Sequence, residues 1–376
     1  MGIATKASGW RARIAVLGAV CGAVAVVAGC GGVDQPAPPR LTPAEEQAAK
    51  GAVFAYRTDA ELAVVHGAET VRAPGSFGYS SAAVAFTRDG QYAFAVETSS
   101  KTLVALGVRD RSVTRIPCDC TDAVALRGSV VGWWREPGEI MSMDLAGSEP
   151  AAPEREIVLP DSPSPLTGGA WDGAKLVAAT DEFVLLARVE SRGLWWEKSH
   201  LYAIGPDVIL PLGRVPGIDA GLSAAAGPDG HTFVLAGATA RSATCGSGNV
   251  ATIDAATNGV RALPTLPGEC SAAYSPRWTA DGPISIATRK WADVVGAPSM
   301  VDRLQSAAQG WAPVGEYPVV DMLPQTHAQE SVIEVVAGEP TDARGTPHGV
   351  LVVHKGDARE ELATQVVSLG APTATG

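Results

Sequence analysis

From Val53 onward, short apolar runs rich in Val, Ala, Leu and Thr alternate with clusters of Gly, Asp and Pro. This is the pattern of strands joined by tight turns. One hairpin recurs along the chain. It reads Leu62-Ala63-Val64-Val65-His66 turning at Gly67, then Leu103-Val104-Ala105-Leu106 turning at Asp110 and Ile140-Met141-Ser142-Met143-Asp144 turning at Gly147. It returns as Leu201-Tyr202-Ala203-Ile204 turning at Gly205 and Val250-Ala251-Thr252-Ile253-Asp254 turning at Asn258-Gly259, with weaker copies at Gly310 and Gly356. Successive turns lie about 48 residues apart, the size of one propeller blade.

A second hairpin falls between these copies, with its turn ending in Gly. Ala83-Val84-Ala85-Phe86-Thr87-Arg88-Asp89-Gly90-Gln91-Tyr92 is the clearest, and Asp172-Gly173, Asp229-Gly230, Asp281-Gly282 and Arg127-Gly128 are read as further turns. Asp-Gly suits them because both residues accept positive φ. Two hairpins per period make a four-stranded blade. At these turns the chain resembles the TolB-type and WD-repeat-like bacterial propellers, whose blades carry a Ser-Pro-Asp-Gly-like turn. Here that turn is degenerate, as Thr87-Arg88-Asp89-Gly90, Gly227-Pro228-Asp229-Gly230 and Thr279-Ala280-Asp281-Gly282. The expected fold is therefore all-β, a β-propeller of seven four-stranded blades over residues 51–370. Six or eight blades stay open because Val294–Glu330 is poorly marked. Two stacked β-sandwich domains are the competing architecture, disfavoured by regular spacing without a linker. Val366-Val367-Ser368-Leu369 is expected to close the ring by completing the first blade.

Ahead of the repeats, Lys6, Arg11 and Arg13 precede an apolar stretch of 14 residues, Ile14–Val27. That is shorter than the roughly 20 residues a membrane-spanning helix needs, and it fits a signal-peptide core. Val27-Ala28-Gly29-Cys30 resembles the bacterial lipobox, which implies cleavage after residue 29 and lipid on Cys30. Residues 1–29 are thus expected to form a lipoprotein signal peptide. Residues 30–50 read as a Gly- and Pro-rich linker with a short helix at Pro43–Lys50, and 371–376 as a C-terminal tail. The protein is expected outside the cytoplasm, held on the membrane by its lipid anchor.

Charge narrows the partners. The chain carries a formal −11, and subtracting the leader's +3 leaves −14 on the rest, which argues against a nucleic-acid binder. With 46% apolar and 18% charged residues, it can bury a large core. No sign of oligomerisation is visible, and a monomer is expected.

Beyond Cys21 and Cys30, four cysteines remain. Cys245 and Cys270 fall in two loop types that share one face of a propeller, and a disulfide across their 25-residue separation would add about 3 kcal/mol. Cys118-Asp119-Cys120 either forms a small ring or stays reduced. A zinc site is disfavoured because one residue between the first two cysteines is fewer than such sites use. The six His form no ligand cluster, and there is no P-loop and no Gly-x-Ser-x-Gly elbow. Gly246-Ser247-Gly248-Asn249 precedes a strand rather than a helix, so it is no dinucleotide loop. No catalytic residue, cofactor or metal is expected. Asp219, Glu269 and Asp321 are the carboxylates that could meet in the central funnel, and they are read as turn residues.

Tryptophan placement stands out. Trp133-Trp134-Arg135, Trp195-Trp196 and Trp291 each follow the second strand of a blade. If all decorate one face, they form a binding surface, because Trp concentrates interface energy and Arg stacks beside it. The competing reading puts one ring of each pair into the core. The expected function is a non-catalytic platform for an envelope protein or a glycan. The alternatives are a lactonase, lyase or glycoside hydrolase using the funnel, and a component of an envelope assembly as the TolB-type resemblance implies.

Overall fold

The computed structural model describes residues 53–78, 83–160, 170–191, 197–242, 245–268, 270–278, 284–290, 301–307, 310–314, 318–323, 331–337, 348–355 and 358–372. Among these residues the strands form seven four-stranded antiparallel sheets. The first holds β1 (Val53–Arg57), β2 (Glu61–His66) and β3 (Glu69–Pro74). The next two comprise β4 (Ala85–Phe86), β5 (Tyr92–Glu97), β6 (Thr102–Gly107) and β7 (Val113–Pro117), then β8 (Val124–Arg127), β9 (Val130–Arg135), β10 (Glu139–Asp144) and β11 (Ala152–Glu156). Blade 4 is built from β12 (Ala170–Ala179), β13 (Val184–Ser191), β14 (Glu197–Ile204) and β15 (Ile209–Gly213). Blade 5 follows with β16 (Ala220–Ala226), β17 (Thr232–Ser242), β18 (Cys245–Asp254) and β19 (Gly259–Ala262). Blades 6 and 7 use β20 (Ser271–Trp278), β21 (Ile284–Lys290), β22 (Val301–Ala307) and β23 (Gly310–Pro313), then β24 (Val319–Leu323), β25 (Ser331–Ala337), β26 (Gly349–Lys355) and β27 (Ala358–Val366). The last strand, β28 (Ser368–Gly370), pairs with β1 through Ala55, Tyr56 and Arg57 and so completes blade 1.

The chain is an all-β propeller. The leading strand of each blade packs toward the centre: β8 meets β4 and β12, β12 meets β16, β16 meets β20, and β24 meets β28. Blade 6 reaches blade 7 through β22 on β24, so the sheets form a closed ring. Closure by β28 uses Ser368 and Leu369 as the sequence indicates, while Val366 belongs to β27.

Packing explains the apolar runs. In β2, Leu62 and Val64 pack toward blade 2, while Ala63 and Val65 pack toward blade 7. Both faces of an inner strand are covered by neighbours, so such strands read as near-continuous hydrophobic runs even though the sheet is antiparallel. Outer strands meet solvent and read differently: β7 alternates, and every residue of β19 is exposed.

Turn chemistry holds at most of the expected positions. Gly90 (φ 68°) and Gly230 (φ 84°) take the left-handed backbone that their turns require. Asp172-Gly173 is a correction. It lies inside β12 as a bulge between Trp171 and Ala174, and the hairpin turns instead between Thr180 and Phe183. The bulge lets Gly173 adopt φ 111° without ending the strand. Asp281-Gly282, the leader, Cys30 and the short helix lie outside the described residues.

Antiparallel order fixes which loops share a face. The turn between second and third strands and the connection between blades leave one side of the ring, and the other two turns leave the opposite side. Disulfides Cys245–Cys270 and Cys118–Cys120 are both formed on the first side. The start of β1 and the end of β28 lie on the second.

Candidate functional site

Blade 4 carries polar side chains on the side that faces blade 3. Leu186 of β13 and Tyr202 of β14 pack there with Trp134 of blade 3. Alternation then places Arg188 and Glu190 of β13, and Lys198 and His200 of β14, on the same side. The register sets Arg188 opposite His200, Glu190 opposite Lys198, and Trp171 opposite Glu190. These strands extend past the apolar core, and their ends carry a polar group in which Glu190 and His200 are buried.

Trp171 is positioned by the bulge in β12. Its backbone is braced from the neighbouring blade, where Glu136 Oε1 accepts a hydrogen bond from Ala174 N at 2.9 Å. The Arg188 guanidinium lies 4.2 Å from the Trp171 ring centroid, and His200 meets that ring edge-on at 5.2 Å. Arg214, just after β15, donates from Nε to His200 Nε2 at 2.8 Å and pairs through Nη2 with Glu190. Lys198 Nζ sits 3.3 Å from Asp219. Glu190 is fully buried and Arg214 is 28% exposed, so the group is anchored inside and open outward.

His200 is neutral at neutral pH. Burial, then the Arg214 charge, holds its pKa below the ordinary value against the opposing pull of Glu190. Because Arg214 donates to Nε2, the ring proton sits on Nδ1. An acceptor nitrogen occupied by a guanidinium cannot take a proton from a substrate, so the group is arranged to hold charge in place. Three cations, Arg188, Lys198 and Arg214, stand beside three carboxylates, Glu190, Asp219 and Glu136.

The expected residues divide in three ways. Trp133 and Trp134 are 2% and 5% exposed and belong to the cores on either side of blade 3, which corrects the reading of an exposed Trp surface there. They alternate on a strand covered on both faces, so each ring enters a different inter-blade core. Arg135 pairs with Glu139 at 2.6 Å. Trp195, Trp196, Trp291 and Glu269 lie outside the described residues. Asp219 joins the blade 4 group through Lys198, and Asp321 is bound into the ring closure.

At that closure, Asp321 of β24 accepts from Arg277 Nε at 2.9 Å and Arg277 Nη2 at 2.6 Å. It also accepts from Leu369 N at 2.8 Å and Met322 N at 2.9 Å. Burial pushes the Asp321 carboxyl up, but the Arg277 and Arg303 charges and these bonds outweigh it and hold it below the ordinary carboxylate range. Burial lowers Arg303 to about 10, which leaves it cationic at neutral pH. Among the described residues, no group of three or more His, Cys, Asp or Glu could hold a metal ion.

Sequence reasoning missed the blade 4 group. Its signal was present, because Arg188-Val189-Glu190 and Lys198-Ser199-His200 place polar residues at every second position just where two apolar runs end. Reading Asp172-Gly173 as a turn hid Trp171.

No family model matches this chain, and no curated protein matches it. Solved structures do. TolB from Acinetobacter baumannii is 14% identical over 85% of this chain and 66% of its own, with a TM-score of 0.43. The β-propeller domain of the Trilobed protease from Pyrococcus furiosus is 12% identical over 83% and 93%, with a TM-score of 0.46. A calcium-binding regucalcin from Agrobacterium tumefaciens is 15% identical over 77% and 92%, with a TM-score of 0.44.

Proposed function

We propose that this chain is a lipid-tethered β-propeller that serves as a non-catalytic binding platform outside the cytoplasmic membrane, with its ligand or partner engaged at the top of blade 4. The observation that carries this reading is the clamp made by Arg214 on Glu190 and His200 beside Trp171. It fixes charge and an aromatic surface side by side while leaving no open acceptor on His200 Nε2, as recognition requires and proton transfer does not. The tether rests on the leader and on Cys30. The chain enters the ring at Val53 and leaves it at Gly370 on the face opposite the blade 4 group.

Two measurements test the reading. In membrane fractionation, wild type should sediment with the membrane and Cys30→Ser should become soluble; a Cys30→Ser protein that still sediments would refute the lipid anchor. In cross-linking of intact envelopes, a Trp171→Ala, Arg188→Ala double variant should lose the adducts formed by wild type. Unchanged adducts would move the platform elsewhere on the ring.

A further inference from the structure

We propose that the platform on blade 4 carries an acid-operated latch: protonation of His200 breaks its bond with Arg214 and so releases a partner held beside Trp171. This rests on the platform reading above and adds its regulation. The argument begins at one atom. His200 Nε2 accepts from Arg214 Nε at 2.8 Å, so its lone pair is already in use. A proton there turns the acceptor into a donor that faces another donor, and sets two positive charges at hydrogen-bond distance. The bond cannot survive that exchange. Arg214 then keeps only its pair with Glu190. His200 and Glu190 are buried, whereas Arg214 is 28% exposed, so the guanidinium is the member with solvent to move into.

The surroundings set the pH at which this happens. On β13 stand Arg188 and Glu190, and on β14 stands Lys198, which reaches Asp219 at the entry to blade 5 at 3.3 Å. Blade 3 contributes Glu136, bonded to Ala174 N. The charged residues of β12 are Asp172, which is exposed, and Lys175, which pairs with Asp122 at 3.8 Å. Burial first, then Arg214, then Arg188 hold the imidazole neutral against Glu190. The latch therefore stays closed through neutral pH and opens only below the ordinary histidine value of about 6.5.

Trp171 carries the change to the surface. Its ring meets His200 edge-on at 5.2 Å and lies 4.2 Å from the Arg188 guanidinium, so the indole senses the charge on the imidazole directly. With the latch closed, the half-buried indole sits beside a fixed Arg214. Acid leaves the indole beside an imidazolium and a loosened guanidinium, and a partner fitted to the closed arrangement is let go.

Nitrogen–proton spectra of the mature protein test the latch between about pH 7.5 and about pH 5, the range in which histidine changes charge. The Trp171 indole signal should move with the same midpoint as protonation of the His200 ring, seen in the imidazole nitrogens. In His200→Gln, whose amide oxygen accepts from Arg214 at any pH, the indole signal should stay still. Cross-linked envelope adducts of wild type should fall about fivefold over that range, and those of His200→Gln less than about twofold. An indole signal that stays still in wild type, one that still titrates in His200→Gln, or adducts of wild type indifferent to pH would each overturn the proposal. Adducts that ignore Trp171 and Arg188 at neutral pH would refute the platform and with it the release of a partner, while the spectra would still decide whether Arg214 is latched by His200.

Discussion

Two arginine–carboxylate clusters sit in the ring, at the closure and at the top of blade 4, and they are saturated by different things. At the closure, Asp321 takes hydrogen bonds from Arg277 and from the backbone of Met322 and Leu369, and Arg277 also reaches Leu369 O. Its partners come from blades 6, 7 and 1, so the cluster staples the closing strand to its neighbours. In blade 4, Glu190 and Arg214 are joined by an imidazole, an indole and a second guanidinium. Buried charge locked by backbone holds a fold together. In blade 4 the charge is partly solvated instead, with Arg214 28% exposed beside an aromatic ring.

The largest effect expected from that contrast is at Asp321. Replacing it with Asn removes a partner from buried Arg303 and Arg277, and breaking such a network costs about 3–5 kcal/mol. Thermal denaturation should show a large fall in melting temperature for Asp321→Asn and a smaller one for Glu190→Gln, whose partner Arg214 is partly solvated. Comparable losses at both sites would erase the distinction. The pH dependence has a definite sign. A carboxyl lowered in the fold stabilises above its ordinary value near 4, and that stability is lost as pH falls through the lowered value. Acid unfolding of wild type should therefore be steeper than that of Asp321→Asn.

Next in size is the disulfide between Cys245 and Cys270. Replacing both by Ser should cost about 3 kcal/mol in denaturant unfolding, because a 25-residue separation is no longer closed in the unfolded chain. A change of that size should leave ligand affinity at blade 4 untouched. If affinity falls with it, the loop face works as one unit rather than as separate stations.

Smaller, and more diagnostic, is Glu136→Ala. Loss of its bond to Ala174 N frees the bulge that positions Trp171, so the envelope adducts that depend on Trp171 should fall severalfold while stability changes by about 1 kcal/mol. Titration of His200 should have the smallest effect. Its pKa is lowered in the fold, so its contribution to stability is complete above about pH 6.5 and declines as pH falls below that. A His200→Gln variant should lose this part of the pH profile.

The ring was legible because blade geometry writes itself into the chain. Apolar runs at a steady period, Asp-Gly turns at Gly90 and Gly230, and a final apolar segment near Leu369 all follow from strands covered on both sides. The site was legible only in fragments. Trp133 and Trp134 share the position that suggested a surface, but a strand between two neighbours sends alternate rings into two cores, and no local pattern tells that from exposure. Trp171 was hidden by a bulge that has the composition of a turn. The link from Arg214 to Glu190 and His200 spans three strands and depends on register, which a one-dimensional pattern does not carry.

The most direct test of the central claim is a two-dimensional nitrogen–proton spectrum of the indole N–H groups during titration with the solubilised envelope fraction that yields the cross-linked adducts. The protein has nine Trp, and the Trp171 signal is assigned by its absence in Trp171→Ala. The account predicts that this signal moves saturably with ligand, while those of buried Trp133 and Trp134 stay in place. A Trp171 signal that stays still while another indole moves, or a spectrum unaffected by the ligand, would contradict it.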